Sequence, residues 1–350
     1  MKQRWRILLG FAISLLFLVW ALWRVQWDEF WASLAGANYL YLAPAALLIY
    51  LVSWVRAYRW RLLMSSDPPL SLKRVFRFVN IGYFFNNIFP AKAGEVVRGY
   101  LAGRAITGGF GQAVSSLLIE RLLDVLCVVV LLVILLPLVD LPAWIMRGGL
   151  LFGGVAIVGT VALLVLSRFG ARGVDWLWRW VGRVPLVGGP RVKEALLNLV
   201  KGFGVLTSVK LLPGVLLGSV LVWLGYALFN YTVMAAFGLA HLPFASAAAV
   251  LCATGFAMVL PSSPGAIGVF EKAGMVALAL YGVAESLAFS TVLVLHLFTN
   301  LELILLGLAG LMAEGLSYRH LRHEAISLGA PPEAPHASPH ENPSSGASSR

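Results

Sequence analysis

Hydrophobic residues in this chain come in long, nearly unbroken stretches rather than at a strand period of two or a helical period of 3.6. Apolar runs occupy Ile7–Trp23, Tyr39–Val55, Gln112–Leu138, Arg147–Ser167, Leu211–Phe237 and Ser286–Met312. Each is near the ~20 residues that a helix needs to cross a bilayer. Two other stretches break at proline and glycine before they can cross comfortably. Val75–Arg104 reads as a re-entrant helical hairpin with its tip at Pro90 to Gly94. Phe244–Tyr281 reads as a second hairpin whose turn is LPSSPGAIGVFEK, Leu260 to Lys272. The pattern predicts an all-α, polytopic membrane helical bundle with about six full spans plus two re-entrant hairpins.

Composition agrees with a membrane protein. Of 350 residues, 59% are hydrophobic and 12% charged, with a mean hydropathy of +0.84; a soluble domain carries about 25% charged residues. The net charge of +11 therefore reads as cytoplasmic loops beside anionic lipid and not as a nucleic-acid face. Basic residues mark the inner side: Lys2, Arg4 and Arg6, the RAYRWR exit of the second run (Arg56, Arg59, Arg61), Lys73, Arg74 and Arg77, the segment Arg168–Lys210, and Arg319 with Arg322. The positive-inside rule then places both termini in the cytoplasm of a plasma-membrane protein. It also makes the two hairpins enter from opposite faces, as in an inverted repeat. Trp20, Trp23 and Trp27 follow the first run, so it reads as an uncleaved, aromatic-anchored span. Cys127 and Cys252 lie in apolar runs and read as small buried hydrophobes. Residues 1–315 form the transmembrane domain, and 316–350 a basic segment with a disordered Pro/Ser/His tail.

Charge inside apolar sequence is costly in lipid and normally lines a polar cavity. The first such cluster is NNIFPAKAGEVVR, with Asn87, Pro90, Lys92, Gly94, Glu95 and Arg98. The second is Glu120, Arg121 and Asp124, roughly 12 Å into their helix at 1.5 Å per residue. The third is Pro264, Gly265, Gly268 and Glu271, and the fourth is His296 and Asn300, which share a helix face at i, i+4 near Thr299 and Glu302. Tyr226, Asn230 and Tyr231 give another span a polar stripe. Each group has a scaffold reading beside its site reading. Glu95 and Arg98, at i, i+3, can screen each other, Glu271 can cap a helix, and His296 with Asn300 can bond neighbouring helices. The glycines can serve turns and close packing, while Arg56, Arg59 and Arg61 read as topology markers in contact with lipid phosphate.

At NNIFPAKAGEVVR, IERLLD and PSSPGAIGVFE, the chain resembles the lysylphosphatidylglycerol synthetase transmembrane-region family, also called flippase-like proteins. The family pattern matches Asn86, Asn87, Pro90, Gly94, Glu95 and Arg98, then Glu120, Arg121 and Asp124, then Pro264, Gly265, Gly268 and Glu271, with Ala266 departing from a glycine. The resemblance covers roughly Arg4 to Gly315. Some members carry a soluble domain that attaches an amino acid to phosphatidylglycerol. This chain ends in a disordered tail, so the resemblance implies lipid handling and not synthesis. The expected function is a flippase-like protein that moves a phospholipid with an anionic or aminoacylated headgroup between leaflets, with no cofactor, no metal and no nucleic-acid partner; a homo-oligomer stays open. Arg98, Arg121, Lys92 and Lys272 suit a phosphate, and Glu95, Glu120, Asp124 and Glu271 an amine. An intramembrane enzyme on a lipid-linked substrate and a non-catalytic subunit of a lipid-modifying enzyme are the alternatives.

Overall fold

In a bilayer every backbone N–H and C=O must be satisfied within the protein, so each apolar run closes into a helix. The computed structural model describes residues 2–89, 93–139, 143–181, 210–258 and 263–316, with isolated positions between 189 and 208. Among these residues the elements are α1 (Lys2–Leu22), α2 (Trp27–Gly36), α3 (Leu42–Met64), α4 (Leu72–Ile88), α5 (Ala93–Gly103), α6 (Gly109–Leu135), α7 (Ala143–Val181), α8 (Leu212–Ala236), α9 (Phe244–Ala257), α10 (Val269–Ala279) and α11 (Glu285–Ala313). Single 3-10 turns stand at Tyr39–Tyr41, Leu239–His241 and Pro264–Ala266. The expected tail, the tip residues 90–92 and most of the basic segment after Val181 lie outside the described residues.

Among the described residues three helical stretches are long and apolar enough to span a membrane: Tyr39–Met64, Leu212–Ala236 and Glu285–Ala313. A fourth arises if Leu9–Leu22 and Trp27–Gly36, bent by 85°, form one span. The expected span at Gln112–Leu138 forms as α6 with 27 residues, but three charges at its middle keep it outside the apolar set. Between the first two runs stands α2, opened by Asp28 and Glu29 in its first turn, where carboxylates suit the helix dipole. The second run, expected to end at Val55, does not stop before RAYRWR. Helix α3 runs through it to Met64 and ends where Ser65 turns left-handed (φ 45°).

The two hairpins form. Arms α4 and α5 pack together, as do α9 and α10, and each return arm leans on the next long helix, α5 on α6 and α10 on α11. The same relation repeats across the molecule: α3 packs on α8, α4 on α11, and α9 on α6. Helices α3–α6 and α8–α11 are therefore two copies of one motif. Their orientation follows from the connections. Gln112 donates to the Met64 carbonyl (2.6 Å) and Arg74 and Arg77 pair with Glu314, so one face gathers the ends of α3 and α11 and both mouths of the first hairpin. On the other face the Asn38 N–H meets the Ala236 carbonyl (2.8 Å) and the Gln26 N–H meets Ser286 Oγ (3.0 Å). The second hairpin opens there, between the end of α8 and the start of α11. Inside the bundle Gly265 lies against Asn87, in the last turn of α4. The repeat is inverted.

Backbone contact holds the arms of the first hairpin. A Cβ on Gly94 would fall on the Gly82 carbonyl oxygen, and the Gly94 N–H donates to Asn86 Oδ1 (2.8 Å). Apolar clusters fill the two ends of the bundle: Ile49, Phe229, Leu278 and Phe289 at one, and Trp60, Leu63, Phe85 and Ile119 at the other. Between them α3 and α6 bury Arg56, Arg59, Glu120 and Asp124.

The inverted arrangement is checked by single cysteines at Thr107 and Ala240, after Cys127 and Cys252 are replaced by alanine. An impermeant thiol reagent should label the two from opposite sides of sealed vesicles. Labelling of both from one side would overturn it.

Candidate functional site

Helix α6 presents Glu120 and Asp124 on one face at i, i+4, and the face they meet is the arginine stripe of α3. Arg56 donates to Glu120 Oε1 (3.3 Å) and Asp124 Oδ2 (2.9 Å), and Arg59 to Asp124 Oδ1 (2.7 Å), with a longer contact to Glu120 (3.4 Å). The return arm α5 adds Arg98, whose Nη2 donates to Glu120 Oε2 at 2.6 Å. Arg98 also lies 3.8 Å over the ring of Trp60, whose indole N–H is held by Ser116 Oγ (2.9 Å). From α8, Tyr226 accepts a hydrogen bond from Arg56 (2.9 Å) and Ser219 one from Arg59 (3.3 Å). Arg121 leaves this packed face and pairs outward with Glu95 (3.1 Å) and Asp124 (3.3 Å).

Burial decides which members a ligand can reach. The side chains of Glu120 and Arg59 are fully buried, whereas those of Arg121 and Glu95 are 38% and 25% exposed. Arg121 and Glu95 are thus the open rim of a closed cluster. Counting formal charges, Arg56, Arg59, Arg98 and Arg121 face Glu95, Glu120 and Asp124, so four against three leaves one positive charge in excess. Several donors also go unanswered: Arg59 Nε, Arg98 Nε and Nη1, and Arg121 Nε are buried with no acceptor among the described residues. Such groups are costly to leave unmade. An anion is the chemical complement of this arrangement.

The second hairpin builds a smaller site on the same plan. Gly268 starts α10 at φ 86°, a left-handed conformation that glycine tolerates, and its backbone lies against Ser14 and Leu18 of α1. Three residues on, Glu271 Oε2 accepts the Gly268 N–H (2.6 Å), so the expected helix cap is present. Its other oxygen lies 2.6 Å from His296 Nδ1 of α11, with the Phe270 ring stacked on the imidazole at 4.2 Å. Glu271 therefore caps and pairs at once. In each half, a carboxylate in the first turn of the return arm engages a basic side chain on the next long helix: Glu95 with Arg121, and Glu271 with His296.

The structure brings Glu95, Arg98, Glu120, Arg121 and Asp124 into one cluster, and Gly268, Glu271 and His296 into another. Asn87 lies against Gly265, with Pro264 next to it in the chain. Asn300 is partly buried one turn from His296. Pro90 and Lys92 lie outside the described residues. One pairing is corrected. Glu95 and Arg98 do not screen each other, because α6 offers each a better partner and their i, i+3 neighbourhood loses to two full opposite charges. The reading of Arg56 and Arg59 as lipid-facing topology markers also fails, since both are buried ligands of Glu120 and Asp124. Their i, i+3 spacing was the available signal, with Tyr226 on the polar stripe of α8 as a further member. Among the described residues no group of three His, Cys, Asp or Glu could hold a metal ion.

A family model described as "Lysylphosphatidylglycerol synthase TM region" matches residues 7–307. The UPF0104 membrane protein MJ1595 of Methanocaldococcus jannaschii is 30% identical over 115 residues, which is 32% of this chain and 34% of that protein's length. No solved structure matches the chain.

The pairings make a charge-exchange experiment decisive. Exchanging Glu95→Arg with Arg98→Glu sets like charges against Arg121 and Glu120, so folding yield should fall below that of either single change. Exchanging Glu95→Arg with Arg121→Glu keeps the rim pair but sets a carboxylate beside Asp124, so it should recover only part of the lost yield. Arg98→Ala removes the shortest contact to Glu120 and the stacking on Trp60, while Arg56 and Arg59 remain, so it should lower the thermal midpoint in detergent by less than the ~3–5 kcal/mol of a buried charge left unpaired.

Proposed function

The chain belongs to the lysylphosphatidylglycerol synthase TM region family, and we propose that it carries a phospholipid between leaflets without catalysing chemistry of its own. The observation that carries this reading is the surplus positive charge of the arginine cluster with its unanswered guanidinium donors. A lipid phosphate fits them, because the guanidinium fork presents parallel donors to two phosphate oxygens. Arg121 meets the phosphate first, at the exposed rim, while the deeper arginines hold its position by their charge. Glu95 at the same rim suits the amine of an aminoacylated headgroup, and an anionic headgroup needs the arginines alone. The tips at Asn87 and Gly265 bound the path, and the acyl chains stay in the bilayer beside it.

The direction of the hairpins follows from charge. Arg61, Lys73, Arg74, Arg77, Arg104 and Lys210 belong to the face on which the first hairpin opens. The positive-inside rule assigns that face to the cytoplasm of the plasma membrane. The first hairpin then opens inward and the second outward, with the start of α1 and the end of α11 both inside.

The test uses purified protein in vesicles of phosphatidylethanolamine and phosphatidylglycerol, with a trace of fluorophore-labelled phosphatidylglycerol and an impermeant quencher. The wild type should bring inner-leaflet label to the quencher with the lipid chemically unchanged. Arg121→Gln removes a charge-assisted hydrogen bond worth about 1.5–3 kcal/mol, so movement should slow at least about tenfold while the thermal midpoint holds. Wild-type protein that leaves the label in place, or a variant that moves it at full rate, would overturn the reading. A chemically altered lipid would favour the enzyme instead.

A further inference from the structure

Glu302 takes no part in either cluster, yet it lies within a long apolar helix. Both carboxylate oxygens are buried without a hydrogen-bond partner among the described residues. On α11 the positions 302, 306, 309 and 313 recur at i, i+4, i+7 and i+11 and so share one face. Leu306, Ala309 and Ala313 on that face line a groove of about 270 Å³ between α3, α4 and α11. The groove's other walls are Trp54 and Phe76, stacked at 4.1 Å, and its rim holds Lys73 and Arg77. Glu302 lies one turn, about 5–6 Å, beyond Leu306 towards the middle of the bundle. The groove opens at the basic face, and the unpartnered carboxylate lies one helical turn beyond its lining residue Leu306.

The groups around Glu302 are committed elsewhere or neutral. On α8, Tyr226 is its electrostatic neighbour and accepts from Arg56. Arg56 of α3 is already bound to Glu120 and Asp124. On α4, Tyr83 holds a buried hydroxyl with no partner among the described residues, while Arg77 at the outer end pairs with Glu314. On α10, Glu271 is held by His296. The charges of α2, Asp28 and Glu29, are in its first turn at the opposite face. Burying a carboxylate away from any cation is costly in a membrane interior, and residues placed this way mark ion or proton pathways. A metal ion would need several oxygen or nitrogen ligands, and no group of three acidic, His or Cys side chains is present among the described residues. A proton needs one oxygen.

We propose that Glu302 is a proton-binding site reached from the basic face through this groove, and that its protonation is coupled to lipid movement. The donor is hydronium from the aqueous side: one of its O–H bonds breaks, one forms on a carboxylate oxygen, and a water molecule is left. The binding stands on the geometry of Glu302 alone, whereas the coupling rests on the lipid movement proposed above.

Two measurements separate these. Infrared difference spectra of the purified protein, recorded while pH is stepped, should show a carboxylic-acid carbonyl band that shifts in heavy water and is missing from Glu302→Gln. If that variant does not reach the membrane, Glu302→Asp keeps the acid and should displace the band. A band that survives Glu302→Gln, or stays put in Glu302→Asp, overturns the proton site whether or not any lipid moves. In the labelled-phosphatidylglycerol vesicles, a one-unit pH difference should bias the leaflet distribution of the label by up to about tenfold if one proton moves per lipid. A sodium gradient should not do so, and Glu302→Gln should lose the pH response. A distribution that follows sodium, or that ignores pH in a wild type that does move lipid, overturns the coupling.

Discussion

Glu120 is the residue on which this architecture depends. Its carboxylate is fully enclosed, and Arg56, Arg59 and Arg98 converge on it from two different elements. Removing one partner from such an arrangement leaves an uncompensated charge in a medium that cannot solvate it. The pairings therefore fix the distance between α3 and α6 and hold the return arm α5 against both. A re-entrant hairpin has too little apolar length to be anchored by the bilayer alone. Arg98 supplies the anchor, clamped between Glu120 and the face of Trp60. The fold tolerates its short hairpin because that hairpin is bolted to a long helix by charge.

The two halves share a plan but divide the chemistry unequally. Arg56 and Tyr226, 170 residues apart, meet where α3 of one repeat crosses α8 of the other. On the first side stand four guanidiniums and three carboxylates. The matching cluster on the second side is one carboxylate and one imidazole, with backbone contacts to α1 through Gly268 and Ser263. The inverted scaffold therefore carries most of its paired charge on one side, where α3, α5 and α6 meet.

Much of this was legible along the chain. The long apolar runs, the proline and glycine breaks and the placement of basic residues lead to an all-α bundle with two opposed hairpins, because those features act locally or through the bilayer. The cap at Gly268 and Glu271 is equally local, three residues apart. What escaped was the pairing. Arg56 and Arg59 at the end of an apolar run look like an inner-face marker, and their carboxylate partners lie more than 60 residues away. Glu95 and Arg98 look like a self-sufficient pair until α6 arrives with stronger partners for each. Periodicity shows which face a charge occupies, but not which helix will come to meet it.

The contact between Gly82 and Gly94 has a mechanical consequence. With bare backbone meeting backbone at that point, α4 and α5 cannot slide past each other there without breaking the Gly94 N–H bond to Asn86. The two arms are locked in register at this contact, so a displacement of α4 carries α5 with it, and through Arg98 pulls on Glu120 of α6.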